Sequence, residues 1–178
     1  MGYAGGSTAD HPTYTRIGDH IETLEVEFDP QRVSYQELLQ AFAEGHDPTR
    51  RPWSRQYKSA LMPLGESQLR EARALVEDLA RETGETIHTL IIPDAQFFPA
   101  EDYHQKYYLQ SHPQLHQEVR NSYPSFQEMI DSGRVARING YLGGFGQPVQ
   151  LEEEASDLGL SPGALEALRE VVRQLTLR

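Results

Sequence analysis

A chain of 178 residues, 38% hydrophobic and 24% charged, has the make-up of a globular protein with a proper core. Its formal net charge is −11, with no Lys/Arg cluster beyond Arg50–Arg51, which argues against nucleic acid and membrane as partners. Cysteine is absent, so disulfides, thiolate metal sites and thiol catalysis by this chain's own side chains are excluded. No apolar run approaches the roughly 18 residues of a membrane span, and the N-terminus lacks the basic and apolar regions of a signal peptide; the cytoplasm is the expected compartment.

In chain order, "GYAGG" (residues 2–6) reads as a glycine turn with only Met1 in front of it. Glu22 to Phe28 alternates, with Leu24, Val26 and Phe28 on one side, and predicts a half-buried strand ended by Asp29-Pro30. Ser34 and Glu37 form a capping box for a helix that carries Leu38, Leu39 and Phe42 and stops at Gly45. Tyr57 to Met62 is a short strand. Glu66 to Thr83 is the clearest helix, with Leu69, Ala72, Val76 and Leu79 as its stripe and Gly84 as its stop. Ile87 to Ile92 predicts a buried strand. Pro99 lies just before a helix through Tyr108, and a further helix starts at Pro113. Ser125 to Asp131 is a short helix, whereas "GRVARINGYLGGFGQP", with five glycines, predicts loop or weak strand. Ser161-Pro162 opens a last amphipathic helix with Leu165, Leu168, Val172 and Leu175. The alternation of strands and helices predicts an α/β fold. Residues 1–115 are expected to form its core and residues 116–178 an extension packed on it.

Two segments concentrate reactive side chains. "PAEDYHQKYY" places Glu101 and His104 at i,i+3 and His104 and Tyr108 at i,i+4, which would share a helix face. The competing reading is a polar helix end with bonded tyrosines. "DHIETLEVEF" puts His20 and Glu22 on one side of a strand, where a carboxylate at a pocket mouth is a candidate general acid and a solvated edge residue the plainer alternative. His20, His46, Asp47, Glu101 and His104 do not have the spacing of a specific metal site, and no metal is expected.

The order of "GYAGG", "PTY", "HIE" leading to "FDP", "HDPT", "QYKSA" and "FFPAEDYHQKY" resembles the A-type peptide methionine sulfoxide reductases from Gly2 to about Pro113. The resemblance implies a two-layer sandwich around a mixed sheet, here without its first strand and helix. It implies reduction of methionine-S-sulfoxide, in proteins or as the free amino acid. In that reaction a thiolate or selenolate attacks sulfur, and an acid with hydroxyl donors receives the leaving oxygen. By motif match Glu22 is the acid, and Tyr14 and Tyr57 are the hydroxyl donors that also bind substrate. Trp53 is a candidate pocket wall, with surface packing as its alternative. Glu101, Tyr103 and His104 match a signature read as structural support.

The family's nucleophile lies in a "GCFWG" segment upstream of the glycine motif, and this chain starts after that point. An in-frame codon for cysteine, or a TGA read as selenocysteine, is expected upstream of Met1; without that segment the chain is expected to be inactive alone. The segment between "PTY" and "HIE" is shorter than the common form. "TRRPWSR" replaces a longer loop, and the resolving cysteines are missing. The implied reductant is therefore an external thiol, thioredoxin or a small thiol, with no other cofactor. The alternative is a cysteine-free relative that binds methionine sulfoxide or methionine peptides without reducing them.

Overall fold

The opening glycine segment is a strand rather than a turn. In the computed structural model, which describes residues 1–177, β1 (Gly2–Ala4) pairs antiparallel with β2 (Ile21–Thr23) on one side. On the other side it pairs with Phe97–Pro99, the last strand among the described residues. Tyr3 and Ala4 are buried because both edges of β1 are covered. Tyr3 stands opposite Glu22 and Phe98. Directly opposed residues of antiparallel strands point to the same face, so these three side chains share one.

β2 stops at Thr23, well short of the expected Phe28. Residues 24–28 alternate in sequence, but no strand pairs with them, and Leu24 and Val26 are 71% and 51% exposed. Alternation predicts a face to be covered; it does not supply the neighbour.

Helix α1 (Tyr35–Glu44) begins at the expected capping box. The Glu37 amide donates to the Ser34 hydroxyl at 3.2 Å, and the Glu37 carboxylate accepts from the Ser34 amide at 2.7 Å. A strand–helix–strand unit follows: β3 (Ala60–Leu61), α2 (Gly65–Thr83) and β4 (Leu90–Ile91), with β3 and β4 parallel. Gly84 ends α2 in the left-handed conformation, φ 68°. Leu39, Leu61 and Ala72 form the buried cluster here, with Phe42, Leu75 and Ile91 packed against it. The strand expected over residues 87–92 is shorter and less buried than its composition suggests, since only two residues pair and Leu90 is exposed. Strand β5 (Phe97–Pro99) completes this part. Antiparallel and parallel pairs with flanking helices make the chain α/β.

Residues up to Glu101 form one compact unit and those from Asp102 another. The second unit is helical. The helix expected from Pro99 to Tyr108 is interrupted: Asp102–His104 is a single 3-10 turn, Lys106 adopts φ 47°, and α3 (Tyr107–Gln110) starts after it. The shared helix face proposed for Glu101, His104 and Tyr108 therefore does not exist. Helices α4 (Pro113–Asn121), α5 (Phe126–Ile130), α6 (Gly133–Leu142), α7 (Pro148–Glu154) and α8 (Pro162–Thr176) follow.

α6 overturns the expectation of loop or weak strand. Ser132 caps it, and Val135, Ile138, Tyr141 and Leu142 are buried along one face. Those spacings are helical, and the core they join outweighs the low propensity of two glycines. Leu109, Met129, Ile138, Leu151 and Leu168 are fully enclosed in that core.

Candidate active site

The loop after β1 is folded back onto His20 and Asp19. Gly5 takes φ 75°, a conformation open mainly to glycine. Gly6 approaches so closely that a Cβ would lie 2.5 Å from the His20 amide nitrogen, and its own amide donates to His20 Nδ1 at 3.2 Å. His20 Nε2 reaches the Ala9 carbonyl at 2.9 Å, which fixes the ring proton on Nε2. Beside it, the Asp19 carboxylate accepts from the amides of Ser7 and Thr8, both at 2.8 Å, and from both hydroxyls. The Thr8 hydroxyl, then the Thr8 and Ser7 amides, hold this carboxyl well below its ordinary range.

Two residues further on, Glu22 is half-buried in β2. Its amide donates to the Gln56 carbonyl at 3.1 Å, and its carboxylate accepts from Gln56 Nε2 at 3.3 Å. Gln56 thus ties the acid to the segment that carries Tyr57. Tyr57 lies against Trp53, ring centroids 4.9 Å apart and 30° between planes. Trp53 itself is 82% exposed.

Tyr14 is held from another direction. Its amide donates to Glu101 Oε1 at 3.0 Å, while Glu101 Oε2 accepts from the Tyr3 hydroxyl at 2.8 Å. Tyr3, opposite Glu22 in the sheet, is therefore the strut between the acid's strand and the segment carrying Tyr14. Tyr103 and His104 pack on each other, centroids 4.1 Å apart, with Tyr103 exposed.

A second polar chain anchors the Tyr57 segment. His46 Nδ1 bonds the Phe42 carbonyl at 2.8 Å, so it carries the proton. Nε2 must then accept, and Ser59 donates to it at 2.7 Å; the Ser59 oxygen lies 3.0 Å from the Thr89 hydroxyl. This run links the end of α1 to β3 and β4, two residues from Tyr57. The ring nitrogens of His20 and His46 are thus occupied by the fold, and no group of three or more His, Asp and Glu converges among the described residues.

Sequence reasoning named Glu22, Tyr14 and Tyr57 as candidates, but not Gln56, which bonds Glu22, Tyr3, which shares Glu101 with the Tyr14 amide, or Asp19, which holds the loop at Ser7 and Thr8. Tyr3 was hidden inside a motif read as a turn. Gln56 sits directly before Tyr57 in "QYKSA", and only the fold brings it to Glu22. Chemically, a half-buried carboxyl steadied by an amide can donate a proton to a polar oxygen, and partly exposed phenols such as Tyr14 and Tyr57 can donate hydrogen bonds.

Comparison with known proteins gives a consistent result. A family model described as "Peptide methionine sulfoxide reductase" matches residues 1–134. A Drosophila melanogaster protein named peptide methionine sulfoxide reductase is 41% identical over 91% of this chain and 65% of its own length. Peptide methionine sulfoxide reductase A5 of rice is 37% identical over 79% of this chain and 57% of its own. The Deinococcus radiodurans protein named MsrA is 36% identical over 80% and 69%. The chain thus spans less than two thirds of the first two relatives. The fly alignment also takes in most of residues 120–178, which the motifs alone set apart from the family. None of the described helices is long and apolar enough to cross a membrane.

Proposed function

This chain belongs to the peptide methionine sulfoxide reductase family, and from that membership we propose that it forms the oxygen-side part of a methionine-S-sulfoxide reductase. The supporting observation is the double tie between Glu22 and Gln56, which sets the candidate acid beside the Tyr57 segment. In the proposed reaction a thiolate or selenolate attacks the sulfoxide sulfur. The S–O bond then breaks, and the oxygen leaves as water after taking two protons. Glu22 supplies a proton to that oxygen, and the Tyr14 and Tyr57 hydroxyls donate hydrogen bonds to it. A second thiol then attacks the nucleophile's sulfur or selenium, the bond to the substrate sulfur breaks and methionine leaves, so one disulfide or selenosulfide is formed for each sulfoxide reduced.

No side chain of this sequence can serve as that nucleophile, so the proposal assigns it to a Cys- or Sec-bearing segment outside these residues. Trp53, stacked on Tyr57, is assigned to the substrate side, and Glu101, Tyr103 and His104 to support. The substrate is oxidised methionine in proteins or free methionine sulfoxide. The reductant is thioredoxin or a small thiol, and the setting is the cytoplasm.

The test joins the in-frame upstream codons to this chain and assays methionine-S-sulfoxide with dithiothreitol. Turnover is expected in the joined protein and not in the 178-residue chain. Glu22→Gln in the joined protein should lower kcat by about 10²–10⁴-fold with a smaller change in KM, because proton donation is needed mainly in the transition state. An unchanged kcat removes Glu22 from the mechanism. Tight sulfoxide binding without turnover in the joined protein would instead make this a binding relative.

A further inference from the structure

Helices α1 and α2 leave a groove between them of about 560 Å³, and none of its lining residues is a candidate site residue. Its α1 wall is Gln36, Leu39, Gln40, Ala43 and Glu44; on α2 the wall runs from Glu71 to Glu82. Both sets recur at three- and four-residue intervals, so each is one helix face. Its apolar part is Leu39 and Ala43 on α1 with Ala74, Leu75 and Leu79 on α2, of which Leu39 is buried, Leu75 and Leu79 half-buried and Ala74 exposed. The rim is acidic on both sides, with Glu44 on one and Glu71 and Glu82 on the other. Asp78 pairs with Arg81, but Glu44, Glu71 and Glu82 have no ion pair among the described residues. Among the described residues no lysine or arginine lines the groove.

We propose that this groove docks a cationic amphipathic helix of a partner protein. An apolar part between two negative rims calls for an apolar stripe with positive charge on both sides. A helix offers that arrangement, since residues flanking its apolar face point to either side. An extended strand does not, because it sends alternate side chains into and away from the groove. The lined stretch of α1 is roughly 12 Å and that of α2 roughly 16 Å at about 1.5 Å per residue, which matches two to three turns of a docked helix. Ala43 and Ala74 leave room on opposite walls for side chains from above. A second copy of this chain is a poor occupant, since its net charge of −11 has the sign of the rim.

The proposal is independent of catalysis and is tested by binding. The full chain is titrated into a fluorescently labelled Leu/Lys amphipathic helix, with a scrambled peptide of identical composition as the control. The amphipathic peptide should bind and the scrambled one should bind at least about tenfold more weakly. Glu71→Lys with Glu82→Lys should weaken binding by about tenfold, and more salt should weaken the wild-type complex. Glu77→Lys with Glu85→Lys changes net charge equally but lies outside the groove, and should leave affinity within about twofold. If the first pair disturbs folding by circular dichroism, Gln36→Lys with Gln40→Lys, at exposed positions on α1, serves instead. Equal binding of the scrambled peptide, or equal weakening by Glu77→Lys with Glu85→Lys, would reduce the interaction to non-specific charge and overturn the proposal. So would absence of binding, or a self-association that buries the groove.

Discussion

Tyr3 shows how much a single hydroxyl can organise. Its ring is 1% exposed in the central strand, and its only polar atom is spent on Glu101, which also holds the Tyr14 amide. Tyr3→Phe should leave the ring packing intact and cost about 1–2 kcal/mol in chemical denaturation, since the Glu101 carboxylate loses a partly buried donor. An unchanged midpoint would mean that Glu101 is positioned without the Tyr3 hydroxyl. Asp19 gives a second residue-level expectation, this one in pH. Its carboxyl is held below the ordinary value of 3.8, so the folded chain binds fewer protons there than the unfolded chain. Its contribution to stability is therefore complete above pH 3.8 and is lost as pH falls through the lower folded value. Asp19→Asn should lower stability at neutral pH and flatten this part of the acid profile; parallel profiles for the two proteins would place the acid sensitivity elsewhere. Glu22, Tyr14 and Tyr57 could be named as candidates because each sits in a short motif. The pairings around them were not legible, because Tyr3–Glu101 and Glu22–Gln56 join positions far apart in the chain, and single-sequence patterns carry no such pairing.

Elements divide along the same line. α1, α2 and α8 were legible because each has a local start signal or stop signal and a long apolar stripe. The strands were not, since β2 and β4 end where their neighbours end rather than where their own alternation does. α6 was hidden by composition: Gly133 and Gly140 lower its propensity while Val135, Ile138 and Leu142 keep a helical period. Gly140 is accordingly a place where the sequence works against its own helix. A Cβ there would meet nothing within 4 Å, and its φ is not in the left-handed range. Gly140→Ala should therefore stabilise the helical unit by roughly 0.5–1 kcal/mol, by removing backbone freedom from the unfolded chain. Thermal melts followed by circular dichroism can read this directly. A lower midpoint would show that Gly140 serves a close approach that the structure does not contain.

At the scale of the whole chain the two compact units differ in how their cores are built. From Asp102 onward, residues of α3 to α8 share one core, and Leu109, Met129, Val135, Ile138 and Leu168 are all fully buried within it. The unit carrying Glu22, Tyr14 and Tyr57 has a buried cluster of Leu39, Leu61 and Ala72, and leaves Leu24 and Trp53 largely exposed. Core burial is the main favourable term in folding, at about 25 cal/mol per Å² of apolar surface. The helical unit also draws its contacts from helices close in sequence, which favours fast and independent folding. A fragment of residues 102–178 should therefore be helical and monomeric and should melt cooperatively. A fragment of residues 1–101 should melt at a lower temperature and over a broader range. Replacing Ile138 by alanine in the first fragment should cost about 2–5 kcal/mol, because a fully enclosed side chain leaves a cavity that six short helices cannot close without losing other contacts. A fragment of residues 102–178 that is helical yet melts gradually, and tolerates Ile138→Ala, would show that its helices are held by local propensity rather than by the shared core.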